Sequence, residues 1–210
     1  MQIKNFFYPS NVFLFLIFIF IGFSTFFSEY GLKRIETWVS ILSSSPEKKN
    51  KIDRSNRDEE LSKIKKKMVS KWLSKKYRVA ETAVVKIVEI SHEAAKKYEL
   101  DPNLILAIIA IESSFNPFAE SGAGAQGLMQ IMPKYHQEKL QKFDELNPAL
   151  SYEINIMVGA QILKEYLDAH SSLNTALLRY VGVGANGKSS YPQKVFRMRS
   201  RISSITKNLN

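Results

Sequence analysis

Residues 101–114 read DPNLILAIIAIESS, and the fold class rests on them. Asp101 followed by Pro102 marks a helix start. An Asp side chain accepts from the free N–H groups of a first turn, and proline at the first helical position gives up only an N–H that would lack a partner anyway. From Asn103 to about Ser114 the residues are apolar on every side, with no polar stripe. A helix without a polar face belongs in an interior. The segment is predicted to run through the centre of a helical domain.

Helical periodicity continues on both sides of it. Upstream, Ala83, Val84, Ile87, Val88, Ile90 and Ala94 make an apolar face on a helix from Thr82 to a break near Leu100. Before that, Leu61, Ile64, Met68, Trp72 and Leu73 are spaced for one face of a basic helix over 61–77. Downstream, helices are predicted at 129–143, 152–170 and 174–180, with a last basic one near 193–206. No stretch alternates as a strand should, and nothing repeats at solenoid periods. The expectation is an all-α domain over residues 81–210.

The N-terminal third differs in kind. Residues 12–27, VFLFLIFIFIGFSTFF, are apolar but for one Ser, one Thr and one Gly. The run is slightly short of the ~20 residues of a spanning helix, and Phe6, Phe7 and Tyr8 can extend it. A cleaved signal peptide and an uncleaved signal anchor compete here. Ser28-Glu29-Tyr30-Gly31 matches the small-residue cleavage pattern badly, which favours an anchor over residues 1–30. Lys4 before the run and Lys33 and Arg34 after it barely discriminate orientation. From Ser43 to about Glu60, SSSPEKKNKIDRSNRDEE is polar and turn-rich, so residues 31–80 are expected to be a basic linker followed by a helix.

Charge and cysteine usage narrow the classes further. Of the net +10, eight units come from residues 44–78, with thirteen Lys/Arg and five Asp/Glu. Nucleic acid and anionic lipid are conceivable partners of such a run, but a solvated linker is the plainer reading and no nucleic-acid partner is expected. Cysteine is absent, which excludes a disulfide framework, a Cys-based zinc site and a lipidated N-terminal cysteine. His92-Glu93 begins an H-E-x-x-H pattern, but Lys96 holds the second histidine position. Residues 182–189, GVGANGKS, satisfy the phosphate-loop pattern literally. A strand should precede it, however, whereas TALLRY reads as helix, and Pro192 argues against the helix that should follow.

Glu112 stands at the end of the buried helix, after Ile108-Ile109-Ala110-Ile111. Aliphatic walls deprive a carboxylate of solvation and raise its pKa. That tuning keeps a glycosidase acid protonated near neutral pH. Residues 112–133 continue ESSFNPFAESGAGAQGLMQIMP, in which Gly122, Ala123, Gly124, Ala125 and Gly127 form a low-bulk loop that a bulky sugar could approach. This string closely resembles the signature of the soluble lytic transglycosylase (SLT, goose-lysozyme-like) domain family. Asn155-Ile156-x-x-Gly159 resembles its N-I-x-x-G helix, and Tyr191-Pro192-x-x-Val195 resembles an ending seen in some members. Ala176-Leu177-Leu178-Arg179-Tyr180 resembles the helix of its A-Y-N-x-G element, except that Val181 stands where Asn is usual. The resemblance covers about residues 82–205.

The resemblance implies a lysozyme-like fold and a peptidoglycan lytic transglycosylase. Glu112 would be the single acid/base, Ser121, Gln130 and Met132 would line the saccharide groove, and Tyr180 would hydrogen-bond near the carboxyl. Arg179 and Tyr191 also suit a sugar site chemically, Tyr191 more as a packing residue. Glu112 would protonate the β-1,4 oxygen between N-acetylmuramic acid and N-acetylglucosamine, then take the muramic C6 hydroxyl proton as a 1,6-anhydro ring closes. One carboxylate serves both steps, so Glu120 and Glu153 are assigned solvated roles, and no metal or cofactor is required. The implied partners are peptidoglycan strands, the inner membrane through the N-terminal helix, and envelope machinery. The implied location is the cytoplasmic membrane, single-pass, with the catalytic domain in the periplasm. Two rivals remain: a muramidase with a second carboxylate that activates water, and a catalytically idle wall-binding module, which Val181 alone favours.

Overall fold

A computed structural model describes residues 34–36, 39, 46–184 and 187–209 of the chain. It falls into two units, Met1–Asp58 and Glu59–Asn210. The apolar run at 12–27 lies outside the described residues, and among those described no helix is long and apolar enough to cross a membrane.

The helices are α1 (Pro46–Tyr77), α2 (Glu81–Tyr98), α3 (Pro102–Glu112), α4 (Pro133–Leu140), α5 (Tyr152–His170), α6 (Leu173–Tyr180) and α7 (Tyr191–Ile205), with 3-10 turns at Pro148–Leu150 and Lys207–Leu209. Among the described residues the only strand-like features are isolated bridges, Glu120 with Gln126 and Gln126 with Ile131. The all-α expectation holds.

α3 is the centre of the larger unit. Leu104 through Ala110 are all buried, and the helix packs against α2 on one side and α7 on the other. Asp101 caps it, its side chain accepting from the Asn103 N–H at 2.8 Å with Pro102 in the first turn. α5 packs against α2 and α6. Two apolar clusters result. The larger gathers α2, α3 and α7 with Leu128, Met129 and part of α5. The smaller joins Ile131, Leu140 and Ala149 to Ile154, Val158 and Ile162 of α5. Tyr166 and Tyr180 touch both and so mark their seam.

Several expectations need correction. The turn-rich linker is helical from Pro46. Its Lys, Glu and Arg residues are good helix formers, Pro46 opens the first turn, and the segment carries no glycine. Farther along α1, Val69, Ser70 and Leu73 are buried, while Ile64 and Met68 are exposed. The apolar spacing holds at Trp72 and Leu73, which meet the core, and fails at Ile64 and Met68. The helix predicted over 129–143 shrinks to Pro133–Leu140, because Gln130 takes a left-handed φ of 49° and Gln126 pairs with Ile131. Finally, Pro192 does not oppose a helix but occupies the first turn of α7, where proline is welcome. The GVGANGKS segment still follows a helix rather than a strand, so the phosphate-loop context is missing. Its Ala185 and Asn186 lie outside the described residues.

Candidate active site

Helix α3 ends at Glu112, and the chain then reverses within three residues. Ser113 closes the last turn, donating from its hydroxyl to Ile109 O at 3.1 Å. Ser114 and Phe115 both take left-handed backbone, φ 53° and 66°. Two consecutive side-chain-bearing residues in that region are strained. What holds them is Phe115 itself, fully buried with its ring 5.1 Å from that of Tyr77. The strained reversal keeps the Glu112 carboxyl at the rim of the core.

Burial raises the Glu112 pKa above the ordinary carboxylate range, and a hydrogen bond from Tyr191 partly opposes the rise. The Tyr191 hydroxyl donates to Glu112 Oε1 at 2.5 Å. Tyr191 is itself buried and begins α7, so the packing of α7 on α3 places donor and acceptor together. Burial, followed by the neighbouring Glu112 charge, pushes the Tyr191 phenol far up, so it remains a donor. The sequence reading cast Tyr191 as packing and gave the hydrogen bond near the carboxyl to Tyr180. Tyr191 both packs and donates to the carboxyl.

Tyr180 donates instead to Met129 O at 2.9 Å. Burial, then the charge of Glu112, raises its pKa well above the ordinary value, so it sits within the field of the acid without bonding to it. Met129 is held at two further points. Its N–H donates to Asn155 Oδ1 at 2.7 Å, and its side chain lies where a Cβ on Gly159 would sit, 2.6 Å from Sδ. Asn155 Nδ2 also donates to Gln126 O at 2.9 Å and to Ala149 O at 2.6 Å. Asn155 is 1% exposed, with every polar atom used. The N-I-x-x-G pair therefore works through the loop: Asn155 clamps its backbone, and Gly159 one turn later admits its methionine.

The loop at 119–131 is closed by its own polar groups. Ser121 Oγ accepts from the Ala125 N–H at 2.9 Å, and the Gln130 side chain donates to Ala119 O and Gly127 O at 2.9 and 3.1 Å. Gly127, at φ +78°, presses so closely on Asn155 Nδ2 and Ala149 O that a Cβ would lie 2.3 and 2.4 Å from them. Thus Ser121 and Gln130 hold the loop's own turns; Ser121 is exposed, and Gln130 and Met132 are half-buried. Arg179 and Val181 are exposed on the last turn and cap of α6. Glu153 is exposed, and Glu120 accepts from the Gln126 side chain at 3.1 Å on the surface. Among the described residues no group of His, Asp or Glu converges as metal ligands would.

Two residues central to this geometry, Phe115 and Asn155, received no role from the sequence. A faint signal existed for Asn155, a polar residue on the apolar side of its helix with a glycine four residues on. For Phe115 nothing local marks the left-handed turn.

The arrangement is a protonatable carboxyl at the rim of an apolar core, bonded to a neutral phenol and faced by a rigid glycine-rich loop. Residues 89–194, half of the chain, match the family model described as "Transglycosylase SLT domain". Among curated proteins, the chain is 42% identical over 110 residues to the "Transglycosylase" of Enterobacteria phage PRD1, which covers 50% of this chain and 39% of that protein. It is 34% identical over 113 residues to "Membrane-bound lytic murein transglycosylase C" of Actinobacillus pleuropneumoniae serotype 5b, with 49% of this chain and 30% of that protein covered. The chain thus spans well under half the length of these relatives. A solved structure of the lytic transglycosylase Slt of Pseudomonas aeruginosa, an inactive mutant, aligns with a TM-score of 0.49 and 22% identity, over 58% of this chain and 24% of that one.

Proposed function

The chain belongs to the transglycosylase SLT domain family, and on that premise we propose that it is a peptidoglycan lytic transglycosylase with Glu112 as its acid/base. The observation that carries this reading is the half-buried Glu112 carboxyl, raised in pKa by burial and held by the Tyr191 hydroxyl. A general acid must hold its proton at the working pH and lie where a substrate can reach it. Burial shifts Glu112 in the direction of the first condition, and its place at the helix end suits the second.

In the first step Glu112 gives its proton to the glycosidic oxygen between N-acetylmuramic acid and N-acetylglucosamine. The muramic C1–O bond breaks, and the N-acetylglucosamine strand leaves with a hydroxyl. Positive charge develops on the muramic ring, and the substrate's own N-acetyl group shares it. The Glu112 carboxylate, now favoured by the Tyr191 bond, accepts the C6 hydroxyl proton as that oxygen closes on C1. No water is consumed, and Glu112 ends protonated. Tyr191 acts on the carboxyl, while Tyr180, Asn155 and Gly159 act by holding Met129. Ser121, Gln130 and Met132 form the saccharide wall. The apolar run at 12–27 anchors the chain in the cytoplasmic membrane with the domain on the periplasmic side; a curated relative named membrane-bound is consistent with this.

The test is mass spectrometry of material released from purified peptidoglycan by the full chain and by Glu112→Gln. Anhydro-muropeptides from the native protein alone are the expected result. Reducing ends lost in the variant would make the protein a muramidase, and no release from either would make it a binding module.

A further inference from the structure

The reversal after Glu112 is braced by a residue far from it in sequence. Phe115, three residues past Glu112, is fully buried at a left-handed φ of 66°. Such a backbone persists only where its surroundings over-determine it. The Phe115 ring meets that of Tyr77 at 5.1 Å, tilted by 38°, which is within the range where aromatic pairs attract. Tyr77 reaches a second element as well. Its hydroxyl donates to Met198 Sδ on α7 at 3.7 Å. Met198 follows Tyr191 by seven residues, or two helical turns, so the two lie on one face of α7 about 10.5 Å apart along its axis. One side chain therefore ties the turn behind Glu112 to the helix that carries Tyr191.

Tyr77 is built as a fixed point. It ends α1, whose Val69 and Leu73 are buried in the larger apolar cluster with Trp72 packed against it. The chain then turns at Arg78, φ 56°. The Ser74 hydroxyl donates to Val79 O at 2.8 Å, and the Val79 N–H donates to Ser74 O at 3.2 Å. Val79 packs on the same cluster, so the chain is held on both sides of Tyr77. Phe115 and Tyr191 fall inside residues 89–194, the stretch that matches the family, whereas Tyr77 and Met198 fall outside it.

Resting on the function proposed above, we infer that Tyr77 is a positioning residue for the Glu112–Tyr191 pair. By bracing Phe115 and Met198 together it keeps carboxyl and phenol within hydrogen-bonding distance, which makes α1 a working part of the catalytic unit. Its effect passes entirely through the bond from Tyr191 to Glu112 Oε1, 2.5 Å long. Catalytic geometry is unforgiving of such losses: a misplacement of about 1 Å caused from afar can cost roughly 100-fold.

The experiment is a double-mutant cycle on the full chain, with anhydro ends released from purified peptidoglycan counted by mass spectrometry across pH. In the native background Tyr77→Leu is expected to lower kcat about tenfold with KM unchanged. It should also move the alkaline limb to higher pH, because a weakened bond from Tyr191 no longer holds the Glu112 pKa down against burial. In the Tyr191→Phe background no such bond is left to position, and the same change should cost less than about twofold. Tyr77→Phe keeps the ring on Phe115 and loses only a weak bond to sulfur, so it should stay within about threefold of native. Circular dichroism reports folding. If Tyr77→Leu does not fold, Tyr77→Phe/Met198→Leu conserves both volumes and repeats the cycle, with a loss of about threefold confined to the native background. Equal losses in the two backgrounds, a raised KM at native kcat, or an unmoved alkaline limb overturns the inference, since each is what a packing residue would give. Anhydro ends absent from the native products remove the function proposed above; anhydro ends present, with a native rate in Tyr77→Leu, remove this inference alone.

Discussion

Replacing Tyr191 by Phe removes one oxygen atom and one hydrogen bond, and its consequences can be worked in some detail. The phenol donates to Glu112 Oε1 at 2.5 Å in a site where the carboxyl is largely desolvated. A hydrogen bond to a charged group contributes about 1.5–3 kcal/mol. The bond favours the carboxylate, which is the state Glu112 enters once it has given up its proton, so its loss destabilises that half of the cycle. At 1.36 kcal/mol per tenfold, kcat is expected to fall roughly 10- to 150-fold. The same bond holds the Glu112 pKa down against burial, so its removal lets the pKa rise further. Activity that needs protonated Glu112 fails as pH rises through this pKa, and the alkaline limb should therefore move to higher pH. The assay is the rate of anhydro-end formation across pH for native and variant proteins, with circular dichroism as a folding control. A slower variant with an unmoved alkaline limb would mean that Tyr191 only packs. A native rate and a native limb would refute the role altogether.

Glu112→Gln should stabilise the protein while abolishing turnover. Burial raises the folded pKa above the unfolded one, so the carboxylate costs stability progressively as pH passes from the unfolded to the folded value. Thermal melts are expected to show a gain of about 0.5–2 kcal/mol above the folded pKa, roughly 2–4 °C per kcal/mol, that disappears in acid. Asn155→Ala leaves the Met129 N–H and the Ala149 carbonyl without their partner and the Gln126 carbonyl with the Ile131 N–H alone; urea unfolding should record a loss of about 3 kcal/mol, and Asn155→Asp should do no better because it cannot donate. Gly127→Ala and Gly124→Ala both place a side chain at positive φ, but only the first meets atoms, at 2.3 and 2.4 Å. The Gly124 variant is expected to lose about 1 kcal/mol and the Gly127 variant several times that; equal losses would show that the loop is not clamped as described.

The helical class, the central position of α3 and the place of Glu112 at its end were legible because each depends on local signals. Asp101 and Pro102 announce a helix start, an all-apolar helix has only one place to go, and the string that begins ESSFNP at Glu112 is contiguous. Helix ends were less legible wherever a distant contact set them. The late start at Pro133 depends on the loop that Asn155 holds at Gln126 and Met129 from 29 and 26 residues away, and the inward face of α1 depends on what covers Val69 and Leu73. The site's internal bonds were illegible for the same reason. The Tyr191–Glu112 bond joins residues 79 apart, and Tyr180 reaches Met129 across 51. Either tyrosine could have bonded Glu112 as far as spacing tells. The choice fell to the packing of α7 on α3 and of α6 on α5, which turns one hydroxyl toward the carboxyl and the other toward the loop. Composition and order put Glu112 at the end of an apolar helix, and only the tertiary structure decided which phenol bonds its carboxyl, because a hydrogen bond is selected over a few tenths of an ångström that no one-dimensional pattern encodes.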